Sequence, residues 1–132
     1  GKLYGQELVE SGFRGSFDLI VPVPLHRSRL RKRGYNQSAK FAEGLSEALE
    51  IPWEESIAVR RQSTSTQTKK GRAARWQNVN TAFTAGSSDR INGKRILLVD
   101  DVITTGATLE ACGQHLVENH CESLSIACIA EA

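Results

Sequence analysis

Ile96-Leu97-Leu98-Val99-Asp100-Asp101-Val102-Ile103-Thr104-Thr105-Gly106-Ala107-Thr108 is the stretch on which the reading of this chain turns. Four apolar residues in a row mark a strand buried on both faces. Two carboxylates follow, then a turn of hydroxyls and one glycine, then a helix start. In open α/β sheets ligands bind beyond the carboxyl ends of the strands, and this turn falls there. Gly106 lets the backbone curl with no side chain in the way. The amides from Thr105 through Ala107 to Thr108 can then point inward at a helix N-terminus, an arrangement suited to a phosphate dianion. The threonine hydroxyls, Thr104 included, add donors. Asp100 and Asp101 are the wrong groups for phosphate and the right ones for accepting from vicinal sugar hydroxyls. Each such charge-assisted bond contributes about 1.5–3 kcal/mol. The ligand implied is a ribose 5-phosphate with its hydroxyls free.

Three rival readings of the strand fail. A Walker B acid needs a G-x-x-x-x-G-K-[ST] loop and a dinucleotide fold needs G-x-G-x-x-G, and the chain contains neither. An Asp-Asp strand of the bacterial receiver type opens its domain, whereas here only 31 residues follow Asp101.

Outward from the motif, Asp18 to Leu25 reads as a second buried strand, stopped by Pro22 and Pro24. A helix is expected from about Asn36 to Leu49, with Phe41, Ala42, Leu45, Ala48 and Leu49 on its inner face. Shorter pieces complete the pattern: a helix over Leu3 to Val9, strands over Ser56 to Val59, Thr81 to Ala85 and Ser123 to Ala130, and a helix over Thr108 to Asn119. Asp89 to Lys94 reads as a turn. Strands alternating with helices predict one α/β domain over residues 1–132, an open, mainly parallel sheet flanked by helices. The 132 residues suffice for a core without staples, and no apolar run is long enough to span a membrane. The three cysteines, with no C-x-x-C pair, are expected as free core thiols in a reducing, cytoplasmic setting. His115 and His120 read as surface or helix-end residues, and Trp53 and Trp76 as packing anchors. Methionine is absent, so residue 1 is not expected to be the translated start.

The net charge of +2 hides a segregation. Residues 19–42 hold no acid and six cations, Arg27, Arg29, Arg31, Lys32, Arg33 and Lys40. Residues 56–88 repeat this with Arg60, Arg61, Lys69, Lys70, Arg72 and Arg75. Such blocks suit a phosphorylated small molecule or nucleic acid, or else they are solvated faces. Gln62 to Asn80 is polar and rich in Ser and Thr, the composition of a functional lid or a disordered segment.

The thirteen-residue motif resembles the binding signature of the type I phosphoribosyltransferases, which hold 5-phosphoribosyl-1-diphosphate (PRPP). Val21-Pro-Val-Pro-Leu-His26, Arg33-Gly-Tyr-Asn-Gln37, Gln67, Arg75-x-x-Asn78-Val79 and Ala82-Phe83 narrow the likeness to the ComF/GntX family of competence-protein ComF-like domains. That resemblance implies a type I phosphoribosyltransferase-like fold from which a small N-terminal zinc-binding segment is missing. It implies ribose hydroxyls on Asp100 and Asp101, the 5-phosphate on Thr104, Thr105, Gly106, Ala107 and Thr108, and Mg2+ bridging diphosphate and ribose oxygens beside the two aspartates. His26, Arg27 and Arg33 fall where the family has its pyrophosphate loop. Lys69, Lys70, Arg72 and Arg75 fall in its closing lid, where they would meet the departing diphosphate. Thr104 stands where enzymes acting on 6-oxopurines usually carry an acid, which argues against that substrate class. The activity implied is displacement of diphosphate from PRPP by a nitrogen acceptor, linked to DNA uptake and a protein partner there. The alternatives are a non-catalytic PRPP- or nucleotide-binding adaptor, and a single-stranded DNA surface.

Overall fold

In chain order the elements are α1 (Lys2–Glu10), β1 (Leu19–Pro22), α2 (Gln37–Leu49), β2 (Ala58–Arg60), β3 (Phe83–Ala85), α3 (Ser88–Ile91), β4 (Arg95–Ile103), α4 (Ala107–Glu118) and β5 (Ser123–Glu131). They are those of a computed structural model that describes residues 1–24, 36–55, 57–60, 83–85, 88–103 and 106–131. β4 lies between β1 and β5, parallel to both, with Leu19 opposite Ile96 and Leu98 opposite Ile126. A single parallel bridge from Trp53 to Ile20 extends the sheet beyond β1, while β2 and β3 form a separate antiparallel pair.

Side chains alternate across β1 and β4, and both faces are covered, as parallel strands require. Leu19, Val21, Ile96 and Leu98 pack with Leu109, Cys112 and Leu116 of α4. Ile20, Leu97 and Val99 pack with Phe41, Ala42, Leu45 and Leu49 of α2, and Tyr4, Leu8 and Val9 of α1 close that core. Tyr4 meets Phe41 edge-to-face, with ring centroids 5.4 Å apart. The two helices approach closely because Gly5 faces Ala48: a Cβ on Gly5 would sit 2.5 Å from the Ala48 Cβ.

At the end of β4 remote from Asp100 and Asp101, Arg95 clamps Asp18. Its Nε and Nη2 donate to the two carboxylate oxygens at 3.0 Å each, and its backbone N–H donates at 2.8 Å. These bonds hold the Asp18 carboxyl down at about 2, and raise Arg95 in turn.

Three expectations are corrected. Residues 88–91 form a short helix before the turn at Gly93, because buried Ile91 gives that segment an anchor in the core. β4 does not stop at its acids but runs on to Ile103, since β5 keeps pairing beside it as far as Ile103 opposite Glu131. Only Cys112 is fully buried; Cys121 and Cys128 are half-buried near the ends of the edge strand. No described helix is long and apolar enough to cross a membrane.

Two outcomes are expected. Because Asp18 has a lowered folded-state pKa, its stabilisation is present above pH 4 and lost as pH falls through about 2. Asp18→Asn should therefore lower the Tm at pH 7, and the difference from the parent should shrink as the pH is lowered from 4 towards 2, as followed by circular dichroism. Gly5→Ala should cost about 1–3 kcal/mol by overpacking, and Ala48→Gly in the same chain should recover part of that loss in urea titrations.

Candidate functional site

The site begins with the parallel pairing of β1 and β4, which sets Pro22, the last residue of β1, opposite Val99. Val23 donates its N–H to the Val99 carbonyl at 2.9 Å, immediately before the two acids. Asn36, only 7% exposed, donates from Nδ2 to the Val23 carbonyl at 3.1 Å. Its Oδ1 accepts the Ser38 N–H at 3.0 Å, the N-cap bond that starts α2. Ser38 then donates its hydroxyl to Asp100 Oδ1 at 2.8 Å, across 62 residues of sequence. The Asp101 N–H reaches the same oxygen, also at 2.8 Å, and the Val102 N–H reaches Asp101 Oδ1 at 2.9 Å.

Asp100 is half-buried, and burial pushes its carboxyl up to about 6. A hydrogen bond with the Asp101 carboxyl pushes the same way, against the Ser38 hydroxyl and the Asp101 amide, which favour the ionised form. The pair is therefore held under electrostatic tension, and a cation or a set of hydroxyl donors relieves it.

Beyond β4 the chain turns into α4 through Gly106, whose φ of +81° is left-handed. A Cβ there would meet open space, so the backbone conformation sets the preference for glycine. Gly106 offers no side-chain cap, and Ala107 and Thr108 of the first turn are half-buried. The helix N-terminus thus follows β4 in the chain, with Gly106 as its N-cap and Ala107 as its first residue. Beside Asp101 an open cleft of about 340 Å3 is lined by Gly1, Gln37, Lys40, Phe41 and Ile129. Lys40 pairs with Glu43 at 3.6 Å.

Of the residues expected from sequence, Asp100 and Asp101 lie on β4, and Gly106, Ala107 and Thr108 lie at the start of α4. Thr104 and Thr105 lie outside the described residues, as do His26, Arg27, Arg33, Lys69, Lys70, Arg72 and Arg75. Sequence reasoning missed Asn36 and Ser38. An Asn-x-Ser ahead of an apolar helix signals a cap, but nothing local in it points to Asp100. Among the described residues no cluster of three or more His, Cys, Asp or Glu side chains could hold a metal. The two aspartates do offer the hard oxygens that Mg2+ takes in ones and twos alongside phosphate and water, and that donor set fits it.

Residues 35–132 match the phosphoribosyl transferase domain. Competence protein F of Haemophilus influenzae is 38% identical over 116 residues, which are 87% of this chain and 51% of that protein. DNA utilization protein YhgH of Escherichia coli is 33% identical over 112 residues, 85% of this chain and 48% of that protein. The chain thus spans about half the length of these curated relatives. Among solved structures, glutamine PRPP amidotransferase from B. subtilis, complexed with ADP and GMP, covers 97% of this chain at a TM-score of 0.65. The match takes in 25% of that chain at 24% identity, and shows the fold. The type I architecture and the ComF likeness read from the sequence are both borne out. With its match running from just before the cap of α2 to the last residue, this chain belongs to the phosphoribosyl transferase domain family, on its ComF-like side.

Proposed function

We propose that this chain binds PRPP and displaces its diphosphate by a nitrogen nucleophile, in the service of DNA uptake. The observation that carries the reading is the sequence of groups along one strand end. Two carboxylates near the end of β4, one raised to about 6, precede in the chain a helix N-terminus opened by a left-handed glycine. In this reading Asp100 and Asp101 accept from the ribose hydroxyls and the turn through Thr104 to Thr108 takes the 5-phosphate. The acceptor enters the cleft beside Asp101, where Gln37 and Lys40 offer polar contacts against the apolar floor of Phe41 and Ile129. Its nitrogen lone pair attacks C1 of the ribose, the bond from C1 to the diphosphate oxygen breaks, and the nitrogen then loses its proton. Asp100 and Asp101 would hold Mg2+, which neutralises charge on the diphosphate. His26, Arg27 and Arg33, with Lys69, Lys70, Arg72 and Arg75, are the cations assigned to the departing group. The free cysteines suit a cytoplasmic setting.

A second reading is favoured by the names of the relatives, which speak of competence and DNA utilization and not of a reaction. In it the chain is a PRPP- or nucleotide-responsive adaptor without turnover, and the basic segments face a protein partner or single-stranded DNA. Release of diphosphate separates the first reading from the adaptor. A steep loss of DNA affinity with added salt marks a nucleic-acid surface.

Calorimetric titration with PRPP, with and without Mg2+, is the direct test. Asp100→Asn with Asp101→Asn should weaken Mg2+-dependent binding by about 100-fold or more, from two lost charge-assisted bonds. Unchanged affinity in that folded variant would overturn the ribose site. An acid kept for a ligand should also burden the fold. The raised pKa of Asp100 means that its favourable contribution is complete below pH 4 and lost as pH rises through about 6. Asp100→Asn should then raise the Tm at pH 8 by roughly 3 °C, from about 1 kcal/mol after allowance for solvent screening. At pH 4 the two proteins should melt together.

A further inference from the structure

We infer that Ser38 is a positioning residue, whose hydroxyl locks the Asp100 carboxylate in one rotamer and so presents its second oxygen to the ribose. The inference deepens the proposed function and rests on it for the identity of the ligand.

Ser38 is 3% exposed, on the face of α2 that is otherwise built from Ala39, Phe41, Ala42, Leu45 and Leu49. A hydroxyl there is costly unless it is bonded. Deeper in a helix, Ser commonly bonds back to the carbonyl one turn earlier. Ser38 is the second residue of α2, so its hydroxyl is available for another partner, and the partner it takes is Asp100. Its backbone is equally constrained, because its N–H is held by Asn36, whose other end is tied to Val23. The result is a continuous relay of hydrogen bonds from β1 through the cap of α2 to β4.

That relay acts on one oxygen. Among the described residues, the Ser38 hydroxyl and the Asp101 N–H both donate to Asp100 Oδ1. In the proposed function Oδ2, which neither of them uses, accepts from the ribose. The Asp101 amide is part of the strand and cannot by itself stop rotation about the Asp100 Cα–Cβ bond. The serine supplies a second, non-collinear point of attachment. Fixing the rotamer before binding removes an ordering cost that the ligand would otherwise meet.

The experiment compares the parent chain with Ser38→Ala and Ser38→Thr. In the ligand-free proteins, three-bond NMR couplings at Asp100 report its rotamer populations. One rotamer is expected in the parent and in Ser38→Thr, and an average over rotamers in Ser38→Ala. In calorimetry, Ser38→Ala should bind PRPP with Mg2+ about 10-fold more weakly, with Ser38→Thr within about 2-fold of the parent. Inorganic phosphate, which has no ribose hydroxyls, should bind all three alike. A single Asp100 rotamer in Ser38→Ala overturns the inference, as does an equal loss of PRPP and phosphate affinity, which marks a general structural effect. Failure of the ribose reading gives a different result: PRPP affinity then survives Asp100→Asn with Asp101→Asn, whatever the couplings at Asp100 show.

Discussion

Parallel pairing of Leu19–Pro22 with Ile96–Val99 is the constraint from which the rest of this structure follows. Parallel strands point the same way, so the end of β1 at Pro22 lies beside Val99, one residue ahead of Asp100. That end of the sheet can carry chemistry only because both faces below it are dry, one sealed by α4 and the other by α1 and α2. The pairing also decides what α2 can reach. The chain re-enters the described structure at Asn36 against Val23, and from there the first turn of the helix is aimed at Asp100.

Most of the framework was legible because its signals are local. Four consecutive apolar residues before Asp100, and an apolar period of 3.6 from Phe41 to Leu49, each need one partner surface and no knowledge of the partner. The acids and Gly106 were legible for the same reason: their meaning lies in adjacency. What sequence could not supply was long-range. Ser38 looks like any serine after a capping asparagine until the fold brings it to an acid 62 residues away. Ile91 looked like part of a turn because four residues carry too little periodicity to announce a helix. Cys128 is expected in the core from composition, yet a strand at the edge of a sheet buries its side chains less completely than one at the centre; Cys121, ahead of that strand, does pack against the core although only half-buried.

The two electrostatic extremes of the molecule stand at opposite ends of the same sheet. Arg95 opens β4 and holds Asp18 at about 2, with donors on both carboxylate oxygens. Asp100, near the other end of that strand, is pushed the opposite way by burial, and the Ser38 hydroxyl and the Asp101 N–H share one of its oxygens. An acid satisfied by its own protein stabilises the fold. An acid desolvated without a cation beside it burdens the fold. The contrast lies on a common backbone, five residues apart in β4.

That separation also bears on how such a sheet changes over evolutionary time. The Asp18–Arg95 clamp shares no side chain with the Asp100 rim, and about the length of a full strand lies between them. Substitutions that refit the rim to a new ligand leave the clamp intact, and the margin of stability it supplies absorbs their cost. A framework organised in this way can be inherited by proteins with different chemistry at the rim.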